Sequence, residues 1–173
     1  IIKPLVMAMG IDTGAVTADT SYFDAGSVRV GDRTINNFDK KARGTVTMTE
    51  VLKQSLNTGM VYISQHMKRS DMKSYFTKLG MREKTGIDMP YEVSGISTNL
   101  DSNREVEYAN ISFGQGIAFT PIQTVRALST LAHGGQLTRP YLVEKIDYKN
   151  GFSKKTDHPE PVQVYKPESV EQV

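Results

Sequence analysis

Residues 1–9, Ile-Ile-Lys-Pro-Leu-Val-Met-Ala-Met, constrain the fold more than any other stretch. Read as a helix, the run is apolar nearly all round, and a helix with no polar face has to be enclosed by other elements. Lys3 is its one charge. A lysine in such a helix must snorkel to solvent, find a partner, or lose its proton. Gly10, directly after the run, is expected to close the helix in a left-handed cap.

A second constraint lies forty residues on. Thr47 and Glu50 have the S/T-x-x-E spacing of a capping box, and Val51 and Leu52 follow as the first apolar residues of a helix. Ser55-Leu56-Asn57-Thr58-Gly59 should interrupt it, because Ser, Asn and Gly favour turns over helix interiors. The apolar period then resumes through Met60, Val61, Ile63 and Met67, so helices are expected over 49–57 and 58–68. A serine and an asparagine two apart, on a short connection between helices, can aim a hydroxyl and an amide into one cleft. Alone, the same letters also do no more than punctuate two helices.

Paired with the first run, they point further. Lys3-Pro4 followed by apolar residues, then Ser55-Leu56-Asn57, resembles the S-x-x-K and S-x-N motifs of penicillin-binding transpeptidases. Thr85-Gly86-Ile87-Asp88-Met89-Pro90-Tyr91-Glu92 is similar to the family's T-G-I-D-L-P-G-E segment, with Tyr91 where glycine is usual. Ser112-Phe113-Gly114-Gln115-Gly116-Ile117 with Thr120-Pro121-Ile122-Gln123 resembles S-F-G-Q-G-I…T-P-L-Q. His133-Gly134-Gly135 and Arg139-Pro140 resemble its N-G-G…R-P close. The order of these blocks points to the class B, monofunctional penicillin-binding proteins.

The resemblance implies an α+β fold of the penicillin-binding transpeptidase and serine β-lactamase kind, with this chain mainly its helical lobe plus short strands. It implies that residues 1–173 are a partial transpeptidase domain, cut at both ends. The nucleophilic serine would stand immediately before Ile1, and the third motif, K-[TS]-G, would lie beyond the chain. Lys3 would then be the general base, Ser55 a proton relay toward the leaving amine, and Asn57 a hydrogen-bond donor to the substrate amide. The implied reaction is serine acyl transfer on a D-Ala-D-Ala stem peptide, mimicked by β-lactams. The implied setting is a membrane-anchored protein working on the outer side with cell-wall synthesis partners. A non-catalytic β-lactam sensor or scaffold using the same cleft is the alternative. A class D-like β-lactamase is a third reading, disfavoured because nothing in these blocks serves deacylation.

One literal Lys-Thr-Gly occurs, at Lys84-Thr85-Gly86. It follows a helix exit at Gly80 and runs into Pro90, which removes a backbone donor and argues against a paired strand. It is therefore read as a loop entering the Thr-Gly-Ile-Asp segment, not as the third motif.

Composition closes off other classes. A net charge of +2 is too slight for a nucleic-acid or anionic-surface binder. No run approaches ~18 uncharged apolar residues, so no membrane span is expected. There is no cysteine, and His66, His133 and His158 have no metal-ligand spacing, so neither cofactor nor metal chemistry is expected.

Elsewhere, short strands are expected from Thr17 to Phe38, with turns at Asp24-Ala25-Gly26 and Val30-Gly31-Asp32. A helix capped by Ser70-Asp71 should bury Met72, Tyr75, Phe76 and Leu79 and end at Gly80. Residues 94–107 read as a surface loop. Thr120-Pro121-x-Gln123 should open a helix ending before Gly134. Tyr141–Tyr148 reads as a strand, Asn150-Gly151 as a hairpin turn, and 153–161 as a polar, mobile stretch. Ser169-Val170-Glu171-Gln172 reads as a capping box announcing a last helix.

Overall fold

The computed structural model describes all 173 residues. Helix α1 (Lys3–Asp12) is the axis of the molecule, and Leu5, Val6, Met7, Ala8 and Met9 are all but sealed from solvent. Around it stand α2 (Met48–Lys53), α3 (Asn57–His66), α4 (Arg69–Lys78), α6 (Pro121–Ala132) and the single turn α7 (Pro167–Val170). Met48, Leu56, Met60, Ile63, Phe76, Met81 and Tyr165 complete this core, and the Tyr165 hydroxyl donates to the Leu5 carbonyl at 3.2 Å. Burying so much apolar surface around one helix supplies the main driving force, at about 25 cal/mol per Å².

The strands come in four separate antiparallel pairs. β1 (Ser21–Asp24) pairs with β4 (Gly44–Thr47), and β2 (Ser27–Val30) with β3 (Arg33–Asn36). β5 (Gln136–Leu137) pairs with β8 (Val162–Gln163), and β6 (Lys145–Asp147) with β7 (Ser153–Lys155). The β2–β3 hairpin is fastened by a small second core, in which Val30 and Ile35 meet Val61 of α3 and Val106 and Ala109 of α5 (Glu105–Ser112). The chain reverses at 30–32 as expected, with Gly31 at positive φ, but not at 24–26: Ser21–Asp24 and Ser27–Val30 both pair with the returning stretch 33–47, and Gly26, also at positive φ, marks a break between β1 and β2.

Several expectations need correcting. Gly10 does not end α1. The helix runs on to Asp12, and a Cβ at Gly10 would come within 2.7 Å of Ile63 Cγ2, so the glycine is there to let α1 and α3 approach. The break between α2 and α3 is only Gln54-Ser55-Leu56, so Asn57, Thr58 and Gly59 belong to the first turn of α3. α4 begins at Arg69 without a side-chain cap, so Ser70 is not its N-cap. The stretch 94–107 is not all loop, since Thr98–Asp101 forms a 3-10 turn that buries Leu100 and α5 starts at Glu105.

At the C-terminal end, strand structure is confined to Lys145–Asp147 within 141–148, and 153–155 forms β7 instead of a mobile stretch. Ser169 lies inside α7, whose N-cap is Lys166, so no capping box starts there. A helix that short is held by its packing, not by propensity. By contrast, the Thr120–Gln123 box is complete in both directions with Pro121 at the first helical position. The Thr47 box is half made: its hydroxyl accepts from Glu50 N, while the Glu50 carboxylate turns to Lys53 and Gln54.

Gly59 is the tightest point between α2 and α3. A methyl group there would stand 2.3 Å from Cγ2 and 2.7 Å from Cγ1 of fully buried Val51. Gly59→Ala should therefore cost about 1–3 kcal/mol of stability from overpacking, despite alanine's better helix propensity. Urea unfolding of the two proteins checks this; an alanine variant as stable as the parent would show that α2 shifts freely.

Candidate active site

The short α2–α3 connection places Ser55 directly over the start of α1. Lys3 Nζ donates to Ser55 Oγ at 2.9 Å and to the Ser55 carbonyl at 2.5 Å. Both contacts are possible because Ser55 has φ +54, the left-handed region, which turns its own carbonyl toward the lysine. A serine held there costs on the order of 1–3 kcal/mol, a strain usually found where the surroundings over-determine a residue. Here the flanking bonds Ser55 N to Leu52 O and Leu56 N to Val51 O fix it from both sides.

Lys3 is half-buried, and desolvation lowers its pKa from the ordinary 10.5 to about 8. The one other charge in α1, Asp12, stands at the opposite end of the helix and accepts from Tyr75 Oη and Lys166 N, so it offers Lys3 no counter-charge. The charged form is penalised in the fold alone, so the unfolded chain holds the proton more tightly. Stability from this group therefore rises with pH between about 8 and 10.5 and is flat below.

Asn57, the first residue of α3, turns its Nδ2 to the Asn36 carbonyl of β3 at 2.9 Å, and no hydrogen bond joins it to Lys3. The amide is thus anchored to the β2–β3 hairpin, a connection the spacing of the letters does not show. Beneath it lies a buried polar network that the sequence reading missed. The Asp24 carboxylate, fully enclosed, accepts from Gly26 N at 2.9 Å, from Asn37 Nδ2 at 3.0 and 2.9 Å, and from Thr58 Oγ1 at 2.8 Å. Asn37 Oδ1 in turn accepts from Thr58 N at 3.2 Å and so caps the first turn of α3. Tyr22 OH lies 3.1 Å from Thr58 Oγ1.

A buried carboxylate without a cation is tolerable only when several donors reach it, and a negative charge beneath a helix N-terminus is well placed. The only trace of this in the sequence was the Asp-Ala-Gly turn. Nothing in the letters pairs it with Asn37 and Thr58.

The literal Lys84-Thr85-Gly86 is not on a strand. Thr85 N, Thr85 Oγ1 and Gly86 N all donate to the Glu92 carboxylate, at 2.7, 2.6 and 3.0 Å, which closes 85–92 into a loop of its own. The glycines of Gly114-Gln115-Gly116 both take positive φ, and Gly114 packs beside Ile2 at the head of α1. No group of His, Asp or Glu side chains is arranged to hold a metal.

The fold thus brings Lys3 and the Ser55 hydroxyl into direct contact and fixes Asn57, two residues on, to β3. The chain belongs to the penicillin-binding protein transpeptidase domain family, which it matches over residues 1–173. A peptidoglycan D,D-transpeptidase FtsI homolog of Chlorokybus atmophyticus is 33% identical over 156 residues, covering 82% of this chain and 23% of that protein. Stage V sporulation protein D of Bacillus subtilis is 33% identical over 135 residues, covering 78% and 21%. The chain therefore spans less than a quarter of the length of these relatives.

Among solved structures, a peptidoglycan synthetase of Bifidobacterium adolescentis superposes with a TM-score of 0.92 at 23% identity, over 99% of this chain and 32% of that one. Penicillin-binding protein 3 of Mycobacterium tuberculosis, complexed with aztreonam, superposes with a TM-score of 0.91 at 22% identity, over 99% and 38%. These likenesses establish the α+β transpeptidase fold for the chain.

Proposed function

We propose that this chain is the part of a peptidoglycan D,D-transpeptidase that carries the general base, the proton relay and one substrate-binding amide. The observation that carries the reading is the direct contact of Lys3 Nζ with Ser55 Oγ at 2.9 Å, within range for proton transfer. Reading Lys3 as the lysine of S-x-x-K puts the nucleophile three residues before it, on the same helical face. Neutral Lys3 accepts the proton of that serine as its oxygen attacks the carbonyl of the penultimate D-alanine. The proton passes through Ser55 Oγ to the leaving amine, the C–N bond breaks, and an acyl ester remains. An acceptor amine then attacks the ester and frees the serine, completing the cross-link. Asn57 holds the amide of the donor peptide.

The names of the sequence relatives support this activity, and the same reading makes β-lactams covalent inhibitors. It also places the whole protein at the outer face of a membrane, among cell-wall synthesis partners in division or shape maintenance. Within residues 1–173 no helix is long and apolar enough to cross a membrane. Labelling the full-length protein with a penicillin and mapping the adduct tests the proposal. Attachment to the serine preceding Ile1 is the expected result, and attachment to Ser55, or none, would refute it.

Two further outcomes follow from the same geometry. Acylation should speed up about tenfold from pH 7 to pH 9, with an inflection near the Lys3 pKa of about 8, because only the neutral amine accepts a proton. A flat profile, measured by stopped flow under conditions that keep the protein folded, would rule out Lys3 as the base. Lys84→Ala should change the acylation rate less than twofold, since Lys84 stands at the edge of the closed 85–92 loop. A loss rivalling that of an active-site variant would restore Lys84-Thr85-Gly86 as a catalytic motif.

A further inference from the structure

The break Gln54-Ser55-Leu56 is short, yet it holds Ser55 at a positive φ that most L-residues avoid. One loop, residues 37–43, grips the chain on both sides of this break. Ahead of Ser55, Arg43 Nε donates to Gln54 Oε1 at 3.1 Å. Just past Asn57, Asn37 Oδ1 accepts from Thr58 N at 3.2 Å. Residues 37–43 form no helix or strand of their own. Such a loop can steady a neighbour only if it is itself fixed.

Its fixing comes from two aspartates. The Asp39 carboxylate accepts from Arg43 Nη1 and Nη2, each at 2.8 Å. Asp24 holds both ends of the loop. Its carbonyl accepts from Arg43 N at 3.1 Å, and its sealed carboxylate accepts from Asn37 Nδ2 at 3.0 and 2.9 Å. Gly26 lets the loop lie this close, since a Cβ there would stand 2.8 Å from Ala42 N. The same carboxylate accepts from Thr58 Oγ1 at 2.8 Å, so β1, the loop and the first turn of α3 meet at one buried charge.

We infer that Asp24 and Asn37 are positioning residues for acylation, which act through Thr58 and the 37–43 loop to keep Ser55 and Asn57 in register with Lys3. The inference rests on the transpeptidase reading above. It makes a demand of chemistry as well as of shape. Every hydrogen-bond partner of the Asp24 carboxylate is a donor, so an amide at 24 turns its NH2 onto another donor whichever way it faces. Asn37 can then pair with it only by rotating its own amide, which takes Oδ1 away from Thr58 N. The exchange Asp24→Asn/Asn37→Asp removes the conflict. The amide at 24 donates to the carboxylate at 37, whose other oxygen still accepts from Thr58 N.

The test is stopped-flow acylation of the full-length protein by a penicillin, across pH and well below the melting temperature of each variant. Asp24→Asn should lower the limiting acylation rate constant about 10- to 100-fold, the scale of a small misplacement of reacting groups. The exchange should recover it to within about threefold of wild type, the coupling expected of two residues in one network. The inflection near pH 8 should stay in both, because Lys3 keeps its burial. An Asp24→Asn rate equal to wild type, or a loss that the exchange leaves in place, would overturn the inference and leave the transpeptidase reading intact. So would an inflection moved up toward 10.5, the sign of a loosened fold that lets water reach Lys3. A wild type that takes no penicillin would sink both. Should Asp24→Asn fail to fold, Thr58→Val and Thr58→Ser carry the comparison, with about a fivefold loss for the first and less than about twofold for the second, which keeps the hydroxyl. Equal rates for that pair would overturn the inference.

Discussion

Lys3→Met in the full-length protein should slow acylation by a penicillin by about 10²- to 10⁴-fold, the usual worth of a positioned general base. Methionine is the better test than alanine because it keeps the apolar stem that packs in the head of α1 and removes only the amine. The loss should be accompanied by disappearance of the rise near pH 8, since the group that titrates there is gone. Fold stability below pH 8 should increase slightly, because a half-buried charge no longer has to be desolvated. Stopped-flow acylation across pH, with a melting curve alongside, measures all three. A methionine variant that acylates within tenfold of wild type would show that Lys3 is a structural anchor for the Ser55 carbonyl and nothing more.

Asn57→Ala should slow acylation by about 10²- to 10³-fold, the range for losing one preorganised donor in an active site. The effect on folding should be small by comparison. The bond from Asn57 Nδ2 to the Asn36 carbonyl is exposed, whereas the first turn of α3 is capped independently by Asn37 and braced by Asp24 through Thr58. Single-turnover acylation rates and urea unfolding separate the two outcomes. An alanine variant that loses several kcal/mol of stability along with activity would mean that Asn57 mainly pins β3 to α3.

The layout of the helical core could be read from the letters because it rests on local and compositional rules. An all-round apolar run has to sit at the centre, and α1 does. The Thr120-Pro121-x-Gln123 box carries its own capping chemistry and closed as expected. A hairpin also forms at Asn150-Gly151, though through the five residues 148–152 instead of a two-residue turn, with Gly151 at φ +85. Where the reading failed, a neighbour distant in sequence had overruled a local preference. Gly10 reads as a cap until Ile63 is seen packed against it. Ser70 is a separate, local case: α4 begins at Arg69 with Lys68 as its N-cap, two residues before a Ser70 cap would start it. Strand β4 was not foreseen, because Gly44–Thr47 becomes a strand only by pairing with Ser21–Asp24.

The same division holds at the site. Lys3, Ser55 and Asn57 could be singled out by residue type, order and resemblance, all of which are properties of the chain as written. That Lys3 and Ser55 meet is a property of the fold: the 2.9 Å contact needs α1 buried, the α2–α3 break cut to three residues, and Ser55 held at φ +54. The lowered pKa of Lys3 follows from burial, which no pattern of letters states. Asp24, Asn37 and Thr58 are 13 to 34 residues apart and carry no motif, yet together they decide where α3 begins. The sequence by itself determined which groups are available for chemistry and which elements must be buried. Only the tertiary structure decided which groups share a hydrogen bond and which lose their water, because both depend on distances between segments far apart along the chain.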